Sequence, residues 1–194
     1  SKLLDEHKLL SRDPGTKTMD DGALEKLSMT IFSGSPTDAA GAVAAALAEG
    51  FDPHEIGEAL SLAANQFVLR DHGRLPEWEF PGKPTGSVHG DSVGVHSSDS
   101  VHAWRNLSSV SQGRNVFACL ILAGWQIARD RSYQPFLEWQ PMPSKRQIGQ
   151  VTATDQSKLL AELDDMIRGN LQSHAAAVLH RWGMLNLRTE PVLA

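Results

Sequence analysis

Apolar residues recur at helical spacing through the first third of the chain. Residues 20–32 carry this pattern and predict a short helix. The Ala-rich run 39–49 predicts a second helix, because Ser35 is a capping residue and a proline follows it directly. A third helix is predicted to start after Asp52 and to end near Arg70. No segment alternates strictly between apolar and polar residues, so the fold class is predicted to be all-α.

Residues 73–98 have a different character, because eight of them are glycine or proline. This density excludes a continuous helix or a central strand. The segment also carries Trp78 and Phe80, which a disordered segment would seldom need. We therefore expect a long ordered loop, rich in Gly, Pro and His, with a functional role. Asp99 is then predicted to cap a short helix over residues 100–109.

The second half of the chain predicts further helices. A strongly apolar helix is expected from Gly113 to about Asp130, in the centre of a multi-helix bundle. A Pro-rich connector, residues 134–153, leads to residues 154–194, where a long C-terminal helix or arm is predicted. Residues 1–133 would then form the helical core that contains the functional loop.

Composition and charge exclude several classes of protein. The chain has 194 residues, 41% of them hydrophobic and 21% charged, which is typical of a folded soluble protein. Its net charge is −5, and it has no long basic cluster, so nucleic acid is not an expected partner. The longest apolar run, residues 116–125, is about half of what a bilayer requires, so no membrane partner is expected either.

Two further features concern cysteine and the start of the chain. Cys119 is the only cysteine, which excludes an internal disulfide, a CxxC pair and a Cys-rich zinc site. The sequence begins at Ser1 instead of Met, which leaves open a missing N-terminal segment or a larger protein of which this is the C-terminal part.

Histidines and carboxylates concentrate around the predicted loop. His89, His96 and His102 lie within fourteen residues, together with Asp91 and Asp99. Imidazole and carboxylate are common ligands of zinc, iron and manganese, and three protein ligands with an open position are typical of a catalytic site. We therefore expect a divalent metal ion on the three histidines, with the two aspartates completing or orienting the site. Iron or manganese is favoured, and zinc is the alternative.

Other residues could support such a site. His102 would lie near the start of the helix that Asp99 caps, where the helix dipole disfavours the imidazolium form. Its neighbours Trp104 and Arg105 could line a pocket. Glu58, on the third helix, would need a partner or a metal if its face is buried. The structural alternative is that the histidines satisfy backbone groups and that Glu58 lies in solvent.

Residues 39–71 resemble the helical hairpin of carboxymuconolactone decarboxylase and AhpD-like proteins. The resemblance consists of an Ala-rich helix, the linker Glu-Gly-Phe-Asp-Pro-His-Glu-Ile and a second helix. Peroxidase members of that family act through a CxxC pair with a nearby histidine. This chain lacks the pair, so the resemblance implies the shape of the hairpin and not the thiol chemistry.

These patterns lead to a functional hypothesis. The chain is predicted to be a metal-dependent enzyme with a His-rich site and a small-molecule substrate, with an iron- or manganese-dependent oxidoreductase as the first choice. A zinc-dependent hydrolase is the nearest alternative. A non-catalytic helical binding or assembly module is another, in which the loop and the C-terminal helix make the contacts of a homodimer.

Overall fold

A computed structural model describes residues 2–87 and 92–193. This part of the chain contains ten α-helices and three short 3-10 turns and no β-strand, so the all-α prediction is confirmed. The chain divides into two compact units. Unit 1 comprises Ser1–Val68 and Val93–Glu138, and unit 2 comprises Leu69–Ser92 and Trp139–Ala194.

Six helices account for most of unit 1, the fourth of which ends two residues beyond it. They are α1 (Lys2–Glu6), α2 (Asp21–Ser33), α3 (Pro36–Ala48), α4 (Pro53–Arg70), α5 (Val93–Val110) and α6 (Arg114–Asp130).

The start of α3 agrees with the sequence prediction. The hydroxyl of Ser35 accepts from the backbone N–H of Asp38 at 3.1 Å, and the Asp38 carboxylate accepts from the backbone N–H of Ser35 at 3.3 Å. These bonds satisfy two donors that have no partner inside the helix. The local sequence therefore determines where α3 begins.

The core of unit 1 is built around α6, which packs on α3 and α5. A Cβ atom at Gly124 would lie 2.9 Å from a methyl group of Val43, so glycine allows α6 and α3 to approach closely. The ring of Phe67 lies between those of Phe32 and Phe136, with centroid distances of 5.4 and 4.8 Å. All three rings are fully buried.

Helix α5 begins at Val93, so the prediction of a loop to residue 98 is wrong at its C-terminal end. The predicted cap at Asp99 is wrong for the same reason, because this residue lies inside the helix. Gly94 explains the error. A Cβ atom there would lie 2.8 Å from the backbone nitrogen of Val68, so this glycine serves a close contact between α5 and α4 and does not mark a loop.

The segment before α2 is fixed to the start of α4 by several hydrogen bonds. The backbone N–H of Lys17 donates to the carbonyl of Gly50 at 3.0 Å, and that of Asp52 donates back to Lys17 at 2.9 Å. The backbone N–H of Met19 donates to the carboxylate of Glu55 at 3.2 Å. These bonds hold the irregular segment against the start of α4 and satisfy its backbone groups.

Unit 2 contains the remaining four helices. They are α7 (Lys145–Gln150), α8 (Gln156–Arg168), α9 (Gln172–Met184) and α10 (Glu190–Leu193). The long C-terminal helix of the prediction is therefore two helices, α8 and α9. Asn170 between them has a positive φ of 57°, which a continuous helix does not permit. Their core is a cluster of buried side chains: Val151, Leu159, Leu163, Ala177, Val178 and Trp182.

The described part of the loop in unit 2 is held closed by its own backbone. The N–H of Arg74 donates to the carbonyl of Ser87, and the N–H of Gly86 donates to the carbonyl of Arg74, both at 2.8 Å. The ring of His72 stacks on that of Trp139, with a centroid distance of 4.4 Å.

In the described ranges, none of the helices combines the length and the apolar character that crossing a bilayer requires.

Candidate functional site

Unit 1 contains a cleft of about 680 Å³. Four segments that are far apart in the sequence line it: residues 14–16, residues 52–57 around the start of α4, residues 102–111 in and after the second half of α5, and the side chains of Val116 and Leu120 on α6. The hydrogen bonds of Lys17 with Gly50 and Asp52 hold the first of these segments beside the second. The cleft is therefore built on fixed backbone.

Arg105 is the only lysine or arginine that lines this cleft among the described residues. It is half-buried, and its Nη1 donates to the hydroxyl of Ser61 at 2.8 Å. Its stem lies along α4, because Gly57 has no side chain there. A Cβ atom at Gly57 would lie 3.0 Å from Nε of Arg105. Glycine at position 57 thus makes room for the arginine.

The guanidinium of Arg105 has no acidic partner in the described part of the chain. It donates to a neutral hydroxyl, and none of the described carboxylates lies within ion-pair distance. A partly buried charge is costly unless something compensates it. This arginine is therefore the strongest candidate for contact with a ligand.

Two histidines line the same cleft, His54 at the start of α4 and His102 on α5. The amide nitrogen of Asn106 lies 3.0 Å from Nε2 of His102. Because an amide nitrogen only donates, Nε2 is the acceptor of this bond, and a neutral ring carries its proton on Nδ1. His102 lies in the middle of α5, so the predicted effect of the helix dipole on it is wrong.

Asp52 brings a negative charge to the cleft. Its carboxylate accepts from the backbone N–H of His54 at 2.8 Å and so occupies the N-terminal end of α4. This end of the helix is thus already neutralised by the chain itself. Arg105 is then the one lysine or arginine of the described lining that a negatively charged ligand could meet.

The predicted metal ligands are only partly described. His89 and Asp91 lie outside the described residues. His96, Asp99 and His102 lie on α5, and all three are exposed. His96 and His102 are six positions apart, which corresponds to about 9 Å along a helix axis and about 120° around it. The three-histidine site therefore stays a prediction.

Other described residues give the metal hypothesis no support. Within residues 2–87 and 92–193, no three histidine, cysteine, aspartate or glutamate side chains are grouped closely enough to hold a metal ion. Glu58 on α4 is exposed and not buried, so its carboxylate needs neither a partner nor a metal.

Cys119 lies on α6, and burial raises the pKa of its thiol, while a hydrogen bond with Ser111 acts in the opposite direction. A raised pKa leaves less thiolate, which is the nucleophilic form. This thiol is therefore a poor candidate for a nucleophile.

Sequence reasoning found part of this site and missed the rest. Arg105 and His102 were candidates because they are neighbours in a segment rich in histidine. His54, Asn106 and Ser61 were not, and the role of Ser61 depends on a contact between α4 and α5. The one available signal was the Asp-Pro-His start of α4, which places His54 at a helix end.

No family model, curated protein or solved structure matches this chain. The resemblance of residues 39–71 to the hairpin of AhpD-like proteins stays a prediction.

Proposed function

We propose that unit 1 binds a small anionic molecule in its cleft and that Arg105 anchors the negative charge. The observation that carries this proposal is the half-buried guanidinium of Arg105, whose partner in the described part of the chain is a serine hydroxyl and not a carboxylate. An anionic ligand would supply the charge compensation that the described part of the chain does not.

The geometry of arginine suits this role. Its planar guanidinium has five N–H donors and binds carboxylate or phosphate through two parallel hydrogen bonds. Ser61 accepts from Nη1, which orients the group and leaves further donors for a ligand. The stem of the side chain is held against Gly57, so less of its freedom is lost when a ligand binds.

The size of the cleft is also appropriate. Its volume of about 680 Å³ lies within the range of pockets that bind small molecules, about 300 to 1,000 Å³. The proposal therefore retains the small-molecule partner that the sequence predicts. The iron- or manganese-dependent oxidoreductase and the zinc-dependent hydrolase remain predictions, and anion binding in the cleft requires neither metal.

Titration by two-dimensional NMR tests the proposal on the full chain. We expect acetate, hexanoate or inorganic phosphate to shift the signals of cleft residues in a saturable way. Substitution R105Q should weaken that binding at least tenfold, because a hydrogen bond to a charged group contributes about 1.5–3 kcal/mol.

Substitution R114Q is the matched control. It removes the same charge from unit 1 at an exposed position that does not line the cleft, so binding should be unchanged. Equal affinity of the R105Q variant and the original protein for every anion would contradict the proposal, provided that circular dichroism shows the variant to be folded.

A further inference from the structure

The charged groups of the cleft limit what kind of anion it can hold. Among the described lining residues, Arg105 is the one lysine or arginine and Asp52 is the one carboxylate. A phosphate monoester carries about −1.5 to −2 charges at neutral pH, and it would face a single guanidinium with an aspartate in the same cleft. A carboxylate carries one negative charge and matches one guanidinium in both charge and shape.

The cleft exposes more apolar than polar surface, although serines and histidines also line it. Val116 and Leu120 contribute from α6, and Pro14 and Pro53 contribute from two of the other segments. Val116 and Leu120 are almost fully buried, whereas Pro14 and Pro53 are more exposed and contribute more of the apolar surface that a ligand can reach. A ligand with an apolar body would cover this surface, whereas an ion without one would leave it in water.

We infer that the ligand of the cleft is a monocarboxylate with an apolar body, whose carboxylate binds Arg105 and whose body lies on Pro14 and Pro53. This inference rests on the proposed function, because it names the class of anion that Arg105 anchors. The polar side chains of the lining, among them Asn106 and Ser109, would then face polar substituents of the ligand or water.

A ligand series on the unaltered protein tests the inference and avoids substitutions in the core. The dissociation constants of acetate, butanoate and hexanoate are measured by NMR titration. Each methylene that enters the cleft should tighten binding about fourfold, from about 0.8 kcal/mol per buried methylene. Hexan-1-ol, which has the same body without the charge, should bind at least tenfold more weakly than hexanoate. Inorganic phosphate should bind more weakly than hexanoate.

The outcomes separate the inference from the proposed function. If the three carboxylates bind with equal affinity, or if phosphate binds more tightly than hexanoate, the inference is overturned and anion binding by Arg105 stands. If hexan-1-ol binds as tightly as hexanoate, or if no anion binds, both are overturned. Both are supported if affinity rises from acetate to hexanoate, falls at least tenfold in the R105Q variant and is unchanged in the R114Q variant.

Discussion

Arg105 in unit 1 and two surface arginines in unit 2 have different partners. In unit 2, Arg168 pairs with Asp164 at 2.6 Å and Arg188 pairs with Glu190 at 3.0 Å, all four on the surface. In unit 1, Arg105 is half-buried and meets a serine hydroxyl in the described part of the chain. Exposed ion pairs contribute little to stability and need no ligand. Among these three arginines, Arg105 alone lies in the cleft without a carboxylate partner in the described residues, and our proposal rests on this difference.

The cores of the units also differ. Unit 1 has buried phenylalanine rings in tilted contact, and a Cβ atom would collide with a neighbour at the helical Gly94 and Gly124. Unit 2 has one compact cluster, and a Cβ atom at Gly149 or at Gly183 would meet nothing within 4 Å. Unit 1 thus combines a rigid core with an open cleft, which is a suitable arrangement for a preformed binding site.

Substitution W182A should have the largest effect, because Trp182 is the largest member of the small core of unit 2. Its indole N–H also donates to the carbonyl of Arg188 at 2.9 Å. We expect a loss of about 3–5 kcal/mol, measured by denaturant unfolding. Hydrogen exchange should rise in α8 and α9. The control W78A removes a half-exposed tryptophan of the same unit and should cost less. A uniform rise of exchange over both units would contradict the division of the cores.

Substitution G94A tests the close packing of unit 1. The added Cβ would lie 2.8 Å from the backbone nitrogen of Val68, so we expect a loss of about 1–3 kcal/mol in the free energy of unfolding. Two helical glycines with open space serve as controls, Gly41 in unit 1 and Gly183 in unit 2. Their replacement by alanine should stabilise by up to about 1 kcal/mol. The same sign of change at all three positions would contradict the difference in packing.

The rate of Cys119 alkylation tests the burial of α6 in unit 1. Burial raises the pKa of this thiol, so at pH 8 less of it is thiolate than in the unfolded chain. We expect alkylation by iodoacetamide to be several-fold slower in the folded protein and to rise with pH beyond the range in which an ordinary cysteine levels off. A rate equal to that of the denatured chain would show that α6 is more accessible than described.

The smallest expected effect concerns the loop of unit 2. The carboxylate of Glu79 accepts from the backbone N–H of Thr85 at 3.0 Å and also from its hydroxyl, and these bonds lower the pKa of Glu79. The contact is therefore complete above the ordinary pKa of a glutamate and is lost as the pH falls through the lowered value. Substitution T85V should raise the pKa of Glu79 in an NMR titration, and T85S should leave it low. No change in T85V would exclude the hydroxyl as a cause.

The parts of the fold that local chemistry determines could be predicted from the sequence. The start of α3 depends on Ser35 and Asp38, which are three residues apart, and its prediction is confirmed. The start of α5 could not be predicted, because a glycine such as Gly94 is typical both of a loop and of a close contact between helices. Only the position of Val68 in the structure distinguishes the two. The break between α8 and α9 depends on a positive φ at Asn170, which single-sequence periodicity does not show.

The candidate site was less predictable, because its members are far apart in the sequence. Arg105 and His102 were noticed as neighbours of one another. The position of Arg105, however, follows from Gly57 and Ser61 on α4, which hold its guanidinium where no carboxylate of the described residues meets it. A pattern within one segment contains no information about such a contact, because it depends on the packing of α4 against α5.

The most direct test of the central claim is the side-chain Nε–H signal of Arg105 in a two-dimensional ¹H–¹⁵N spectrum, assigned by its absence in the R105K variant. We expect this signal to shift and to saturate as hexanoate is added, and to stay in place when hexan-1-ol is added. The Nε–H signals of Arg168 and Arg188 should not move. An Arg105 signal that does not respond to any carboxylate would contradict the claim that this arginine anchors an anionic ligand.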